Sequence, residues 1–363
     1  MDDITERSQT LPTTLPQPHS YELSLCISTL NGAATIGETL QSIIDQAPEE
    51  CEIVVLDGAS TDTTGQVVSE YARRFPRLRY IRQDTNNGVD ADFDRAACLA
   101  NGRYCWFTSD DDLLKPGAIS TVLDAIRSEV SMVVVNAEFC HPDDMSRVLA
   151  ERYIDIQANR TYRPDEMDRL FVEMGGYFRY NACIVIRREV WLARDRQRYY
   201  GTLFAALGTI FQDRLPGNTL VIAKPFISIR TGQPRWVPRA FEIDCFKWPS
   251  VIWSLPFTDS VKRKVSATEP WRSIKRQLLY RAWGAYSMDE YRRWISPLRR
   301  PLWITIIPAL VARIPGVLVN TLFVLCYSLP FVRARDIRML VLKASPYHLS
   351  RWRANKRRPV PAG

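Results

Sequence analysis

The sequence predicts an α/β fold: a mostly parallel sheet flanked by helices, followed by a helical and basic C-terminal region. Three observations carry this reading. Short apolar runs alternate with segments of helical period from Leu23 to Val135, the pattern of strand–helix–strand units. Two of the runs end in carboxylates, Asp57 and Asp110–Asp112, and parallel sheets bind ligands at the carboxyl ends of their strands. The charge is divided. Residues 1–240 hold 26 Lys/Arg against 33 Asp/Glu, and residues 241–363 hold 22 against 7, so the two parts suit different tasks.

The elements follow in order. Leu23–Thr29 is a compact apolar strand, and Asn31-Gly32 turns the chain into a helix over 36–44, with Ile36, Leu40, Ile43 and Ile44 on one side. Glu52–Asp57 is the second strand. The loop Gly58–Asp62 leads to a helix from Thr63 to Phe75, with Thr61 or Asp62 as its cap. Leu78–Ile81 is the third strand. Asn86-Asn87-Gly88 opens a helix over 89–100, where Phe93, Ala96, Ala97 and Ala100 form an apolar stripe. The fourth strand, Tyr104–Phe107, runs into Asp110, Asp111 and Asp112. Pro116-Gly117 starts a helix over 119–126, and Met132–Val135 is the fifth strand.

Composition narrows the functional classes. Of 363 residues, 46% are apolar and 24% charged, which suits a folded protein. The eight cysteines form no CxxC pair and read as buried thiols rather than a disulfide frame or a zinc site. The three histidines, His19, His141 and His348, lie outside every motif, so proton transfer falls to carboxylates. Residues 1–20 are polar and Pro/Thr-rich and are expected to be a disordered leader.

Three consecutive aspartates at a strand end repel one another unless a cation binds them. Hard oxygen ligands suit Mg²⁺ or Mn²⁺. In an extended segment alternate residues point the same way, so Asp110 and Asp112 are the expected metal pair, with Asp111 facing elsewhere. The alternative is a solvated acidic turn that caps the next helix.

The blocks EIVVLDGASTDTT, NNGVDADFDRA and ANGRYCWFTSDDDLLKPGA, in this order and spacing, resemble the nucleotide-sugar-binding half of glycosyltransferase family 2, which has the GT-A fold. The resemblance spans residues 21 to 126 and weakens toward residue 232, and its pattern looks most like the abequosyltransferase-like branch, which builds bacterial surface polysaccharides. It implies a GT-A domain over 21–240, with a nucleotide-binding half (21–130) and an acceptor half (131–240), and an extension over 241–363. It also implies an inverting, metal-dependent transfer from a nucleotide-sugar donor to a glycan or polyprenyl-linked acceptor. The family's Asp-x-Asp signature carries over to Asp110 and Asp112, with Asp111 the alternative ligand and a contributor to substrate binding. Thr29 would touch the nucleotide. Asp57 either contacts the nucleoside or caps a helix. Asp90 and Asp92 either contact base or ribose or complement the helix dipole. Arg82 could pair with phosphate or with these acids.

The general base is less legible. NACIVIRREVW, residues 181–191, matches the family's Arg-Arg-Glu stretch, but the acids expected after it are missing. Asp195 is the nearest candidate, with Asp213 and Glu189 behind it. That gap leaves open a non-catalytic, membrane-bound nucleotide-sugar binder. A nucleotidyltransferase is disfavoured because the first loop, Thr29–Gly32, lacks a basic residue.

In the extension Trp248, Trp253, Trp271, Trp283 and Trp294 alternate with Lys/Arg clusters, as at a membrane interface or in a packed helical cap. Residues 301–332 are nearly all apolar but are broken by Pro308, Pro315 and Pro330 and by Arg313. In-plane or re-entrant helices are therefore expected, or a buried hairpin. The basic tail, 333–358, fits anionic lipid on the cytoplasmic face of the inner membrane. Little nucleic-acid binding is expected, because the basic region is also the apolar one.

Overall fold

The structure, a computed structural model, describes residues 20–231, 236–329 and 335–351. The leader expected over 1–20 falls outside the described residues except for Ser20, as do parts of the basic tail.

The described residues form one ten-stranded mixed sheet. Its strands are β1 (Tyr21–Thr29), β2 (Cys51–Asp57), β3 (Leu78–Arg82), β4 (Gly102–Ser109), β5 (Leu113–Leu114), β6 (Met132–His141), β7 (Asp144–Ala150), β8 (Arg160–Tyr162), β9 (Ile184–Arg187) and β10 (Thr219–Arg230). The order is β3-β2-β1-β4-β9-β6-β10-β5, with β7 on β6 and β8 on β10. β1 to β4 pair in parallel. The second half is mixed: β10 runs parallel to β6, while β9 lies antiparallel to both β4 and β6.

The first half follows the sequence closely because its apolar runs are fully buried. All seven residues of β2 are buried, as are Leu23, Leu25, Cys26 and Ile27 of β1. Helices α1 (Ile36–Ile44), α2 (Thr64–Arg74), α3 (Val89–Leu99) and α4 (Ala118–Ile126) lie where the 3.6-residue period places them. Asp62 holds the start of α2, accepting from Thr64 N at 3.0 Å.

The chain passes from β1 outward to β2 and β3, then returns to the other side of β1 as β4. The order therefore reverses between β1 and β4. Ligand crevices of open α/β sheets form at such a reversal, outside the strand carboxyl ends.

The second half adds α5 (Met167–Met174), α6 (Arg188–Leu192) and α7 (Ala205–Phe211). The C-terminal region is helical: α8 (Ala240–Glu242), a π-turn over Ile243–Lys247, α9 (Trp248–Ser254), α10 (Asp259–Val265), α11 (Ile274–Trp283), α12 (Met288–Glu290), α13 (Leu302–Arg313), α14 (Gly316–Ser328) and α15 (Arg335–Ala344). Trp248, Val251, Ile252, Leu255 and Phe257 complete the core of the sheet domain, so packing carries that domain past residue 240. Phe241, Trp271, Tyr280 and Tyr286 centre a separate apolar cluster. Trp248 is buried in the sheet-domain core with Trp253 packed against it, and Trp271 is buried in the separate cluster with Trp283 and Trp294 packed against it. Six of the eight cysteines are buried, and Cys98 and Cys326 are exposed; all eight are free thiols.

Candidate functional site

Thr29 ends β1 and Ser109 ends β4, so their loops meet at the reversal. Thr29 Oγ1 donates to Asp110 Oδ2 at 2.6 Å. Gly32 makes the approach possible: a Cβ there would stand 2.2 Å from Asp110 Oδ2 and 2.6 Å from Thr29 Oγ1. Asn31, at φ +52, accepts from Thr61 N at 2.7 Å and so ties the loop after β1 to the loop after β2. Ala59 in that second loop sits at φ +69, a conformation that costs an L-residue about 1 kcal/mol. Both strained residues flank the reversal.

The three aspartates after β4 do not alternate as an extended strand would. The strand stops at Ser109 and the chain bends through Asp110 and Asp111. Asp110 and Asp111 stay partly open, and Asp112 is 4% exposed. Asp112 turns inward, accepting from Ser109 Oγ at 2.6 Å and from Arg230 N at 3.2 Å. Burial first, and then the Asp111 charge, push its pKa up to about 7. The expected pair Asp110 and Asp112 is therefore corrected: the open pair is Asp110 and Asp111. Arg230, at the end of β10, clamps this bend. Its Nε donates to the Asp111 carbonyl at 3.2 Å, and its guanidinium also meets Pro142 O and Glu38. No local motif marks Arg230, which reaches the bend from 118 residues away.

Asp57 lies at the end of β2 but is fully buried. Its Oδ1 accepts from Ser60 N at 2.7 Å and its Oδ2 from Tyr80 Oη at 2.6 Å. Asp57 is thus neither an open nucleoside contact nor a helix cap: it braces the loop after β2, while Asp62 holds the start of α2. The rim passes to the residues around it: Ser60, Asp62, Arg73, Tyr80 and Arg82 line a cavity of about 590 Å³. Arg82 is exposed there and donates to Ser60 O at 3.0 Å.

For Asp90 and Asp92, which both lie in the first turn of α3, the substrate-contact alternative is corrected. Asp90 is 4% exposed and accepts from Leu203 N at 2.8 Å and Ala205 N at 3.2 Å. It caps the first turn of α7, where the family's acids were expected. Burial raises its pKa, and those two N–H groups oppose the rise. Asp92, 2% exposed, accepts from Gln83 Nε2 at 2.5 Å and from the Ser28 hydroxyl. Burial raises its pKa as well.

Asp195 lies on an exposed turn after α6, with Gln212 bonded to its backbone. Helix α6 begins where Arg188 grips the carbonyls of Ala97 and Cys98 at the far end of α3. That is the amino end of the parallel strands, opposite Asp110. Glu189 pairs with Arg187, and Asp213 is 80% exposed beside Arg194; both share that end. The base expected at Asp195 is thus corrected by topology. Beside Asp111 and Asp112 the structure instead sets Tyr180, whose pKa rises through burial and then the Asp112 charge. Tyr180 packs edge-on against Tyr153, which packs against Tyr177.

Asp110 and Asp111 fit a divalent cation of a particular kind. Among the described residues no group of three or more His, Cys, Asp or Glu side chains is arranged around a metal position. Mg²⁺ and its analogues need no such cage, since one or two carboxylates, water and substrate phosphates complete their shell.

Residues 24–191 match the Glycosyl transferase family 2 model. The matched segment covers just under half of the chain. The abequosyltransferase RfbV of Salmonella typhimurium is 28% identical over 225 residues, covering 57% of this chain and 66% of that protein. A PGL/p-HBAD biosynthesis glycosyltransferase of Mycobacterium bovis is 31% identical over 145 residues, covering 37% of this chain and 57% of its own length. The chain thus spans just under two thirds of the first relative and less of the second. Among solved structures, S. aureus TarS 1–349 in complex with UDP matches with a TM-score of 0.54 at 16% identity, covering 89% of this chain and 90% of that one. A likeness at that identity establishes the fold alone, and this is the GT-A arrangement that the sequence resemblance implies.

Proposed function

We propose that the chain transfers a sugar, with inversion, from a nucleoside-diphosphate donor to a glycan acceptor in polysaccharide biosynthesis. One observation carries the reading: Thr29 and Asp110 meet at the reversal of strand order, where α/β sheets bind nucleotides. The relatives' names support the reaction class, and the complexes of TarS with UDP and UDP-GlcNAc support the donor class.

In this reading the nucleoside end of the donor meets the rim formed by Ser60, Tyr80 and Arg82, whose guanidinium balances phosphate charge. Asp110 and Asp111 hold Mg²⁺ or Mn²⁺. When bound, the cation neutralises charge on the departing diphosphate. Thr29 and Gly32 fix the Asp110 carboxylate, and Arg230 fixes the bend that carries Asp111. The acceptor approaches over Tyr153, Tyr177 and Tyr180, whose ring faces suit a sugar. We place the acceptor on a polyprenyl lipid and the reaction at the cytoplasmic face of the inner membrane, a reading supported by the apolar helices at the C-terminus.

A second reading, a nucleotide-sugar binder without turnover, is favoured by the position of Asp195. One experiment separates them. The full-length protein is incubated with a panel of nucleotide sugars, with and without Mn²⁺, and both calorimetric binding and release of nucleoside diphosphate are measured. Mn²⁺-dependent binding with release upholds the transferase. Binding without release in the presence of lipid-linked glycans upholds the binder. Absence of binding to every donor removes both.

A further inference from the structure

Large apolar side chains that stay exposed on a water-soluble surface are normally scattered singly. Among the described residues sixteen are exposed, and nine of them fall on α13, α14 and the residue after α14. Helix α13 turns outward Leu302, Trp303, Ile306, Ile307 and Leu310, which are 42–73% exposed. Leu318, Leu322, Leu325 and Leu329 are 57–64% exposed, and their spacing of four, three and four puts them on one helical face.

The opposite faces are fixed into the fold. Asn320 Nδ2 donates to Ala282 O at 2.9 Å and to Leu342 O at 3.0 Å. Tyr286 Oη donates to Pro308 O at 3.0 Å, and Arg281 Nε donates to Ile314 O at 2.8 Å. Both helices therefore lie over α11 and its following turn, with Ile304 packed inward and the exposed leucines and isoleucines directed away from it.

Their size decides between crossing a bilayer and lying on one. Twelve and thirteen residues make helices of about 18–20 Å, short of the roughly 30 Å hydrocarbon core. No single helix among the described residues is long and apolar enough to cross a membrane, and the two meet at an angle of 85°. The charge around them has one sign. Residues 291–335 contain seven arginines and no acid, and Arg292, Arg293, Arg299, Arg300 and Arg313 are exposed. Two copies meeting through this face would bring like charges together. Anionic headgroups over an acyl layer complement both the rim and the centre.

We propose that the outer faces of α13 and α14 form an in-plane docking surface for an anionic lipid bilayer. Their leucines and isoleucines enter the acyl boundary, Trp303 sits at the headgroup level, and the flanking arginines meet lipid phosphates. The inference stands apart from the catalytic reading, since it needs neither donor nor acceptor.

The test uses full-length protein and sedimentation with vesicles of phosphatidylcholine, alone or mixed with phosphatidylglycerol. The expected result is binding to the mixed vesicles that weakens with salt. L318Q/L322Q/L325Q should lower the partition coefficient at least about tenfold, because each leucine loses a buried apolar contact with the acyl layer. R292Q/R293Q/R299Q should remove the preference for phosphatidylglycerol. Unchanged thermal melting shows that both variants fold; should one not, its own single substitutions, at Leu318 and Leu322 or at Arg292 and Arg299, replace it. Wild-type protein that stays in the supernatant, or a leucine variant that binds as tightly as wild type, overturns the proposal. Dissociation of a dimer in the leucine variant without change in vesicle binding overturns it in favour of a second copy of the chain.

Discussion

The chain carries two triplets of aspartate, and they have opposite fates. Asp90, Asp92 and Asp94 on α3 are each at most 5% exposed, and protein groups hold their carboxylates. Asp94 is the clearest case: it meets Arg196 Nε at 2.6 Å and Trp191 Nε1 at 2.8 Å, and Tyr200 Oη also donates to it. After β4, Asp110 and Asp111 stay partly open at the reversal of strand order. Acidic density alone therefore does not mark the site. A carboxylate enclosed by N–H and guanidinium groups is part of the frame, and one left open at a strand's carboxyl end can meet a ligand.

The largest expected effects break this contrast directly. Asp110→Asn and Asp111→Asn should each lower transfer about 10²–10³-fold, the scale of losing one electrostatic stabiliser of the transition state, with little change in melting. Wild-type rates in either variant would place the cation elsewhere. The opposite outcome is expected on α3. Asp94→Ala leaves Arg196 without its partner and should cost about 3–5 kcal/mol in urea unfolding, while the folded fraction retains its rate. Loss of transfer without loss of stability would put Asp94 in the site and erase the distinction.

Much of the frame was legible in the sequence because the first half is built from fully buried strands and amphipathic helices. Ile36–Ile44 forms the helix its spacing predicts, and Glu52–Asp57 forms the strand. The motifs point to the carboxyl ends of the parallel strands, where Thr29 and Asp110 meet. What the sequence hid was direction. Asp112 was expected beside Asp110 on the assumption of extended chain, but the strand stops at Ser109. For Asp90 the sequence leaves a substrate contact and a helix-dipole role both open, because nothing local reveals that Leu203 and Ala205, over a hundred residues later, supply its donors. Strands β5, β8, β9 and β10 escape the sequence pattern for a related reason: their pairing is set by partners distant in the chain, as with Ile184–Arg187 between β4 and β6. β7 escapes it too, although it folds straight back on β6. Asp195 is picked out only by its place after the Arg-Arg-Glu stretch, and the structure leaves it on an exposed turn tied through its backbone to Gln212.

A smaller effect sharpens the account of how Asp110 is aimed. Gly32→Ala places a Cβ against the Asp110 carboxylate and the Thr29 hydroxyl. The nearest atom is the end of a side chain that can swing aside, so stability should fall by only about 1 kcal/mol. The displaced carboxylate should still weaken Mn²⁺-dependent donor binding about tenfold by calorimetry, a misplacement effect. Equal binding would show that Asp110 is not held by this contact.

Asp112 belongs to the open triplet by sequence and to the enclosed one by burial, so it gives the finest test. Its folded pKa of about 7 lies above the ordinary value of 3.8. Between those pH values the folded chain keeps a proton that the unfolded chain releases. Its contribution to stability is therefore complete below about pH 4 and is lost as the pH rises toward about 7. Other carboxylates add their own slopes, so the useful quantity is the difference between wild type and Asp112→Asn, which cannot titrate at that position. In EDTA, the urea midpoint of wild type should drop relative to the variant between about pH 4 and pH 7. A constant difference would mean that Asp112 is charged throughout, which would move it from the frame to the site beside Asp110 and Asp111.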